Sequence, residues 1–251
     1  MPTQVLFENA EHKNILLEDF TSGQMVQANQ HIIIHKGKGM LLDPGGHKVY
    51  SEALDELSTV LPLGALQYIL FSHQDPDIIA AANGWLMVTN ATGFLPQLWI
   101  RFIAHFGVDD LVMDNITPIP DAGLVINLAG AKLPLLPAHF MHSAGNFQLY
   151  DPIAKILYTG DLGASLGQTY ITVTNFDDHI QYMEGFHRRY IASNQVLKLW
   201  AQMVAPLDIE IIAPQHGAMI VGKENVQRFI QWVQGLECGM DLLQNAYKLP
   251  K

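Results

Sequence analysis

Cysteine is nearly absent from the chain, which contains only Cys238 among its 251 residues. A single thiol excludes an intramolecular disulfide framework, as is usual in the reducing cytosol, and leaves no cysteine set for an iron–sulfur cluster. Secretory and membrane signals are missing as well. The N-terminus lacks a basic stretch before an apolar one, and the longest apolar stretch, near residues 78–88, is interrupted by Asn83. We therefore expect a cytoplasmic protein without a membrane partner.

Positive charge is scarce, because 14 Lys and Arg stand against 24 Asp and Glu, which gives a formal net charge of −10. Such a surface repels phosphate backbones and argues against a nucleic-acid partner. The chain also has no Ser/Gly/Pro-rich linker, charge block or internal repeat. With 49% hydrophobic residues it has enough apolar material for one substantial core. We expect residues 1–251 to form a single domain.

Short apolar segments separated by turns predict an antiparallel meander in the N-terminal third, and strands mixed with helices follow it. This order favours an α/β fold in which two mixed sheets pack face to face with helices outside. The predicted strands are residues 5–7, 15–17, 31–35, 40–43, 66–71, 124–128, 132–136, 147–150, 156–159 and 209–213, and the predicted helices lie at 49–58, 178–203 and around 226–233.

Three predicted strands end in segments with metal-ligand chemistry, namely SHQDPD at residues 72–77, YTGD at 158–161 and APQHG at 213–217. Together with His142 they supply three imidazoles and three carboxylates, enough for two metal ions. Oxygen donors with imidazole and no thiolate suit iron or manganese at least as well as zinc. Three carboxylates and one hydroxide also balance the charge of two ferrous ions. The candidate ligands are His73, Asp75, Asp77, His142, Asp161 and His216.

Each candidate ligand also has an ordinary structural interpretation. A single histidine is more often packed or hydrogen-bonded than bound to a metal. Asp75 and Asp77 can cap a helix that begins near Ile78, since aspartate is favoured at helix N-termini. The joint order of all six residues favours a metal site over a metal-free scaffold.

The order of these residues resembles the metallo-β-lactamase superfamily, whose hydrolase signature is His-x-His-x-Asp-His followed by a distant His, Asp and His. Here Asp75 stands where the second His belongs and Ile78 where the last one belongs. An acidic residue at the first of these positions is typical of the flavodiiron branch. The segments AHFMHSAGNF at 138–147 and MEGFHRRY at 183–190 are similar to the stand-alone oxygen-binding diiron proteins (ODP) of that branch. The resemblance covers nearly the whole chain and implies a metallo-β-lactamase-like αββα sandwich.

The resemblance implies two iron ions (Fe2+/Fe3+) with a bridging hydroxide or oxo group, in preference to manganese or zinc. It implies no flavin, because the flavodoxin-like domain of flavodiiron reductases has no counterpart in the sequence. The implied ligands are His73, Asp75 and His142 on one iron, Asp77 and His216 on the other, and Asp161 as the bridge. Ile78 leaves the second iron short of a nitrogen ligand, and water, His139 or a diatomic molecule can occupy that position. For His139, a role in orienting the ligands or in core packing is favoured over a role as a ligand.

These features predict a diiron protein that binds dioxygen or nitric oxide and acts as a cytosolic oxygen sensor. By analogy with the family, its signalling partner is a protein such as a chemoreceptor. The enzyme alternative is an oxygen or nitric oxide reductase supplied by an external electron donor. A metal-dependent hydrolase is the third hypothesis, against which Asp75 and Ile78 argue. A sensor is favoured over an enzyme, and no catalytic residue is assigned beyond the metal ligands.

Overall fold

The computed structural model describes residues 3–17, 19–243 and 246–250. The strands are β1 (Gln4–Glu8), β2 (His12–Leu16), β3 (His31–His35), β4 (Lys38–Leu42), β5 (Leu66–Leu70), β6 (Thr92–Pro96), β7 (Ile116–Ile119), β8 (Leu124–Leu128), β9 (Ala131–Pro137), β10 (Phe147–Asp151), β11 (Ile156–Gly160), β12 (Thr172–Val173), β13 (Ile211–Pro214) and β14 (Met219–Val221). The α-helices are α1 (Tyr50–Val60), α2 (Pro76–Ile79), α3 (Ala82–Val88), α4 (Asp110–Met113), α5 (Phe176–Tyr190), α6 (Asn194–Val204) and α7 (Lys223–Gly235), and 3-10 helices lie at Leu63–Ala65, Gln97–Phe106 and Gly239–Leu242. Among the described helices, none has the length and apolar character needed to cross a membrane.

The first sheet contains seven strands in the order β1-β2-β3-β4-β5-β6-β7. Strands β1 to β4 are antiparallel, and β5, β6 and β7 add to them in parallel. The β3–β4 hairpin turns at Lys36 and Gly37, both with positive φ, as a two-residue hairpin loop requires. Local hairpins therefore build one half of the sheet, and helical crossovers build the other half.

The second sheet also contains seven strands, in the order β12-β14-β13-β11-β10-β9-β8. Its strands β8 to β11 form an antiparallel meander, and β13 joins β11 in parallel. The parallel pair β11 and β13 has its carboxyl ends at the same edge, which places residues 161 and 216 close together. The first sheet directs β5 and the following segment 72–77 toward the same region.

Three apolar clusters hold the layers together. The cluster between the sheets includes Ile33 and Leu42 from the first sheet and Leu149 and Ile156 from the second. A second cluster joins the first sheet to α1 and α3, and a third joins the second sheet to α5, α6 and α7. Each Å² of apolar surface that is buried stabilises the fold by about 25 cal/mol, so these contacts are the main source of stability. The predicted arrangement of two mixed sheets between helices is confirmed.

One local prediction is wrong, and four strands were missed. The predicted helix over 178–203 is two helices, because residues 191–193 are extended or irregular between α5 and α6. In that break the amide of Ala192 donates to the carbonyl of Phe140, and its carbonyl accepts from the amide of Met240. Strands β6, β7, β12 and β14 were not predicted. Gly93, Pro96 and Pro118 weaken the strand signal of β6 and β7, and β12 and β14 are only two and three residues long.

Candidate metal centre

The segment that follows β5 is held in place by hydrogen bonds of Ser72. The amide of Ser72 donates to Asp43 Oδ1 at 2.8 Å, and Ser72 Oγ lies 2.9 Å from His73 Nδ1. This contact leaves the other ring nitrogen of His73 facing the interior. Asp75 occupies the N-cap position of α2, but its side chain makes no capping hydrogen bond. The carboxylate of Asp75 therefore remains available to the metal centre, and the capping interpretation is wrong for this side chain.

His142 lies in a loop with unusual backbone geometry. Its φ is 110°, and Phe140 has a φ of 66°, values that side chains other than glycine rarely adopt. The loop is held by a hydrogen bond from the amide of Phe140 to the carbonyl of Ser143 at 2.7 Å, and by Asn146 Nδ2, which donates to the carbonyl of Met141. These two hydrogen bonds within segment 138–147 therefore hold His142 in its loop.

One face of the His142 ring packs against helix α5. The ring centroids of Phe186 and Tyr190 lie 5.9 and 5.5 Å from that of His142. The same helix supports Asp161 indirectly, because His187 Nε2 accepts a hydrogen bond from the amide of Gly163 at 2.8 Å. Segment 183–190 therefore supports two of the candidate ligands.

The loop that contains His216 is tied to residues 27–29, an irregular segment between β2 and β3. His216 Nδ1 donates to the carbonyl of Gln27 at 2.6 Å, which leaves Nε2 for the metal centre. Gln27 Oε1 accepts from the amide of Gly217, and Asn29 Nδ2 donates to the carbonyls of Pro214 and Gly217. The orientation of His216 is thus set by a segment nearly 190 residues away in sequence.

Four candidate ligands form a first group. The ligand atoms of His73, Asp75, His142 and Asp161 all lie within 4.8 Å of one another. His142 Nε2 is 2.8 Å from Asp75 Oδ2, and His73 Nε2 is 3.8 Å from the same oxygen. Asp161 completes the group, with its Oδ1 at 3.7 Å from His73 Nε2 and its Oδ2 at 3.7 Å from His142 Nε2.

Asp161 also belongs to a second group with Asp77 and His216. His216 Nε2 lies 3.4 Å from Asp77 Oδ2 and 3.6 Å from Asp161 Oδ1. The structure therefore brings all six predicted residues together, with Asp161 between the two groups. The second group has one imidazole fewer than the first.

In the first group, neighbouring charges shift the pKa values of Asp75 and His142. Burial raises the pKa of Asp75, but the hydrogen bond from His142 and the nearby imidazoles outweigh it, so this pKa lies below its ordinary value. Burial lowers the pKa of His142, but the hydrogen bond to Asp75 and the surrounding carboxylates outweigh it and raise this pKa. The group thus favours a carboxylate beside a positive charge, the electrostatic situation that a bound cation also provides.

The donor set fits iron. His73 Nε2 and Asp161 Oδ1 are buried and have no hydrogen-bond partner, although buried polar atoms are normally paired. Both atoms point into the space that the candidate ligands share, so a cation there would satisfy them. Imidazole nitrogens and carboxylate oxygens without a thiolate match non-haem iron. All six residues offer these donor types.

Two further candidates lie outside the ligand groups. Ile78 is fully buried in the apolar cluster between the first sheet and its helices. His139 Nε2 bonds the carbonyl of Asp121 at 2.8 Å, and its ring packs edge-on against Phe147. Among the described residues, His139 contacts Asp121 and Phe147 and belongs to neither ligand group. Neither residue supplies a ligand atom at the second group in this conformation.

A family model described as "ODP family beta lactamase" matches residues 26–217, a stretch that contains all six candidate ligands. The chain belongs to the ODP family. The sequence-based resemblance to the flavodiiron-like branch of the metallo-β-lactamase superfamily is thereby confirmed.

Solved structures of ODP share the fold over nearly the whole chain. A structure described as the peroxy diiron species of chemotaxis sensor ODP is 40% identical, covers 98% of this chain and 100% of its own, and has a TM-score of 0.88. The apo state of the chemotaxis sensor ODP from T. denticola is 39% identical over 98% and 99% of the two chains, with a TM-score of 0.86.

A more distant relative of this ODP-family chain is the anaerobic nitric oxide reductase flavorubredoxin of Enterobacter sp. (strain 638). It is 23% identical over 80% of this chain and 43% of its own length. The chain spans about half the length, or less, of the first curated relatives that it matches.

Beside the ligands, this ODP-family chain has a mostly apolar cavity of about 640 Å³. The carboxylates of Asp75 and Asp77 reach it, and Pro76, Ala80 and Leu166 contribute apolar surface. The side chain of Asp77 is 42% exposed, whereas that of Asp161 is 3% exposed. Asp77, which belongs only to the second group, is the most exposed of the six candidate ligands.

Several residues that support the site were not predicted from the sequence. Their side chains act through hydrogen bonds whose direction depends on the fold, so residue type alone gives little signal. A glutamine directly beside a ligand histidine in both 72–77 and 213–217 was the one visible clue. The supporting residues are Gln27, Asn29, Asp43, Gln74, His187 and Gln215.

Proposed function

We propose that this protein binds two iron ions and uses them to bind dioxygen as an oxygen sensor. Membership of the ODP family, together with two solved ODP structures about 40% identical to this chain, supports this function. One of those relatives is described as a peroxy diiron species of a chemotaxis sensor. A chemoreceptor-type signalling partner is the corresponding proposal for this chain.

The observation that carries the proposal is the sharing of Asp161 between two unequal ligand groups. We assign His73, Asp75 and His142 to the first iron, Asp77 and His216 to the second, and Asp161 to both, which is supported by the distances among them. Two bound irons would supply the redox chemistry for dioxygen. The protein's own contribution is to hold three imidazoles with their Nε2 atoms inward and to leave the second position with fewer ligands.

Access to that position also fits a small apolar ligand. The cavity beside Asp77 is lined mainly by apolar surface, which dioxygen or nitric oxide enters without losing hydrogen bonds. Ile78 packs in the apolar core and adds no ligand, so an iron held by Asp77, His216 and Asp161 would have room for an exchangeable water or a diatomic molecule.

A reductase that uses an external electron donor is the second candidate. The likeness to an anaerobic nitric oxide reductase flavorubredoxin supports it, although this chain covers only 43% of that protein. We expect no flavin in the protein described here, and an external donor would have to reach the centre through the side where Asp77 is exposed.

The decisive experiment is anaerobic loading with Fe2+, followed by metal analysis and an absorption series on exposure to oxygen. Close to two irons per chain and an oxygen-dependent charge-transfer band support the proposal. Rapid turnover of oxygen or nitric oxide with an added electron donor would replace the sensor by the reductase. Bound zinc, with no spectral response and with ester or thioester hydrolysis, would overturn both.

A further inference from the structure

Each non-bridging carboxylate of the centre accepts a hydrogen bond from a glutamine amide. Gln74 Nε2 lies 3.0 Å from Asp75 Oδ1, and Gln215 Nε2 lies 3.2 Å from Asp77 Oδ2. An ionised carboxylate can only accept hydrogen bonds, so the NH₂ group of each amide must face it. Each glutamine is also the sequence neighbour of a ligand histidine, His73 or His216.

We propose that Gln74 and Gln215 are positioning residues, each of which fixes the carboxylate of one iron position. Gln74 serves the position that contains Asp75, and Gln215 serves the position that contains Asp77. The inference rests on the proposed diiron function and adds a residue-level division of labour to it.

Gln74 connects two ligands of the first position. Its Nε2 binds Asp75 Oδ1, and its Oε1 accepts a hydrogen bond from the hydroxyl of Ser143, the residue after His142. Asp75 Oδ2 stays free of this amide and faces the imidazoles of His142 and His73. Gln74 therefore selects which carboxylate oxygen is presented to the metal.

Gln215 connects three parts of the second position. Its main-chain N–H donates to the carbonyl of Gly160, directly before Asp161, at 2.8 Å. Its main-chain carbonyl accepts from the main-chain N–H of Asn29 at 2.6 Å. Its side chain, buried to 3% exposure, reaches Asp77 on the short helix α2. The Oε1 atom is buried without a partner, so the contact to Asp77 is the only hydrogen bond of this side chain among the described residues.

An uncharged amide suits this role better than the alternatives. A lysine or arginine would neutralise the carboxylate and compete with the cation, whereas a glutamate would repel the carboxylate. The second position should depend more strongly on its glutamine. It has one imidazole fewer, and the side chain of Asp77 is 42% exposed.

The test compares Gln74→Met with Gln215→Met, since methionine keeps the length of the side chain and removes the donor. Both full-length variants are titrated anaerobically with 57Fe2+, and Mössbauer spectra resolve the two iron positions. His73→Ala and His216→Ala assign each signal to its position. Partners that orient metal ligands typically change affinity by about 10- to 100-fold.

We expect Gln215→Met to weaken iron binding about tenfold or more at the position of His216 only. Gln74→Met should weaken the position of His73 only. Equal weakening of both positions by either variant, or no change in either, would overturn the inference. Urea unfolding checks that the variants are folded, and Gln74→Asn and Gln215→Asn, whose shorter amides cannot span the same distance, replace any methionine variant that is not. If the unaltered protein binds fewer than two irons, the diiron proposal itself fails, which is a different outcome.

Discussion

Asp161 is the candidate ligand that the two groups share. Its Oδ1 faces His73 of the first group and His216 of the second, its Oδ2 faces His142 of the first, and its side chain is almost completely buried. The proposed bridging role fits this location directly after β11, beside candidate ligands from both sheets. A buried carboxylate in such a place is costly unless charge of opposite sign lies beside it.

Asp161→Asn should therefore remove most iron from both positions, because the amide keeps the shape but loses the charge. Asp77→Asn is the matched control, since Asp77 contacts only the second group. We expect it to lower the iron content from two to about one per chain. Metal analysis after anaerobic loading measures both effects. Two irons retained by Asp161→Asn would show that Asp161 does not bridge.

At this scale the sequence predicted which imidazoles and carboxylates come together, because their joint order is typical of a metal site. Their role as ligands stays a prediction. It did not predict the direction of side-chain hydrogen bonds. Adjacency to a ligand histidine singles out Gln215 but does not give its partner. Gln215 reaches Asp77, whereas Gln148 accepts from Trp200 and donates to the carbonyl of Thr159. For His139 the sequence left several roles open, and the bond to Asp121 is a contact between loops that residue type does not encode.

At the scale of elements, segment 27–29 is the connection between His216 and the protein surface. It forms no helix or strand, yet it makes hydrogen bonds to several positions of the 214–217 loop. Next to it, Val26 is 54% exposed and lines the cavity. Metal binding at His216 should therefore order this segment as well.

Hydrogen exchange measures this coupling. In the unaltered protein, we expect iron loading to slow amide exchange at residues 27–30. Asn29→Ala removes two hydrogen bonds to the loop and should reduce that protection. Asn225→Ala is the matched control, because Asn225 also donates to two carbonyls, those of Val173 and Val221, away from the ligands. Equal loss of protection in both variants would disprove the specific coupling.

The presence of an element was predictable where periodicity was strong, as in the hairpins of β1 to β4 and in α7. Of these, only β3 has its predicted bounds, and β2 begins three residues before the predicted range 15–17. The break between α5 and α6 was not, because residues 191–193 are fixed by tertiary hydrogen bonds to Phe140 and Met240. The sequence pattern predicts a helix through residues 191–193, but a hydrogen bond to the loop of His142 holds these residues out of the helix. The same long-range contact therefore ends a helix and supports the metal centre.

At the scale of the whole molecule, buried histidines that are not ligands make stability depend on pH. Burial lowers the pKa of His31 to about 3 and that of His187 to about 4. The unfolded chain, with a histidine pKa near 6.5, binds protons that the folded chain does not. Stability therefore falls as pH decreases from about 6.5 toward 4.

Each of these two histidines should cost about 2 kcal/mol of folding free energy between pH 7 and pH 5. His31→Leu removes one contribution, and the carbonyl of Pro214 beside the His31 ring keeps its hydrogen bond from Asn29 Nδ2. Urea unfolding of both proteins at pH 7 and pH 5 gives the difference. Parallel curves for the two proteins would mean that His31 is not neutral in the folded state.

The global architecture was predictable because the ligand order identified the family and the apolar pattern agreed with it. The single-domain organisation of residues 1–251, the cytoplasmic location and the absence of a nucleic-acid partner stay predictions. The last two depend on the surroundings and partners of the protein more than on the packing of the chain.

Each sheet is built from one continuous part of the chain, β1 to β7 and then β8 to β14. The ligands are divided equally across that boundary, with His73, Asp75 and Asp77 on one side and His142, Asp161 and His216 on the other. The pairing of strands within a sheet is therefore separable from the docking of the sheets. The topology implies an order of assembly in which the complete ligand set exists only after the two halves of the chain have met. Bound iron would then act as a cross-link between them, and its release would precede their separation during unfolding.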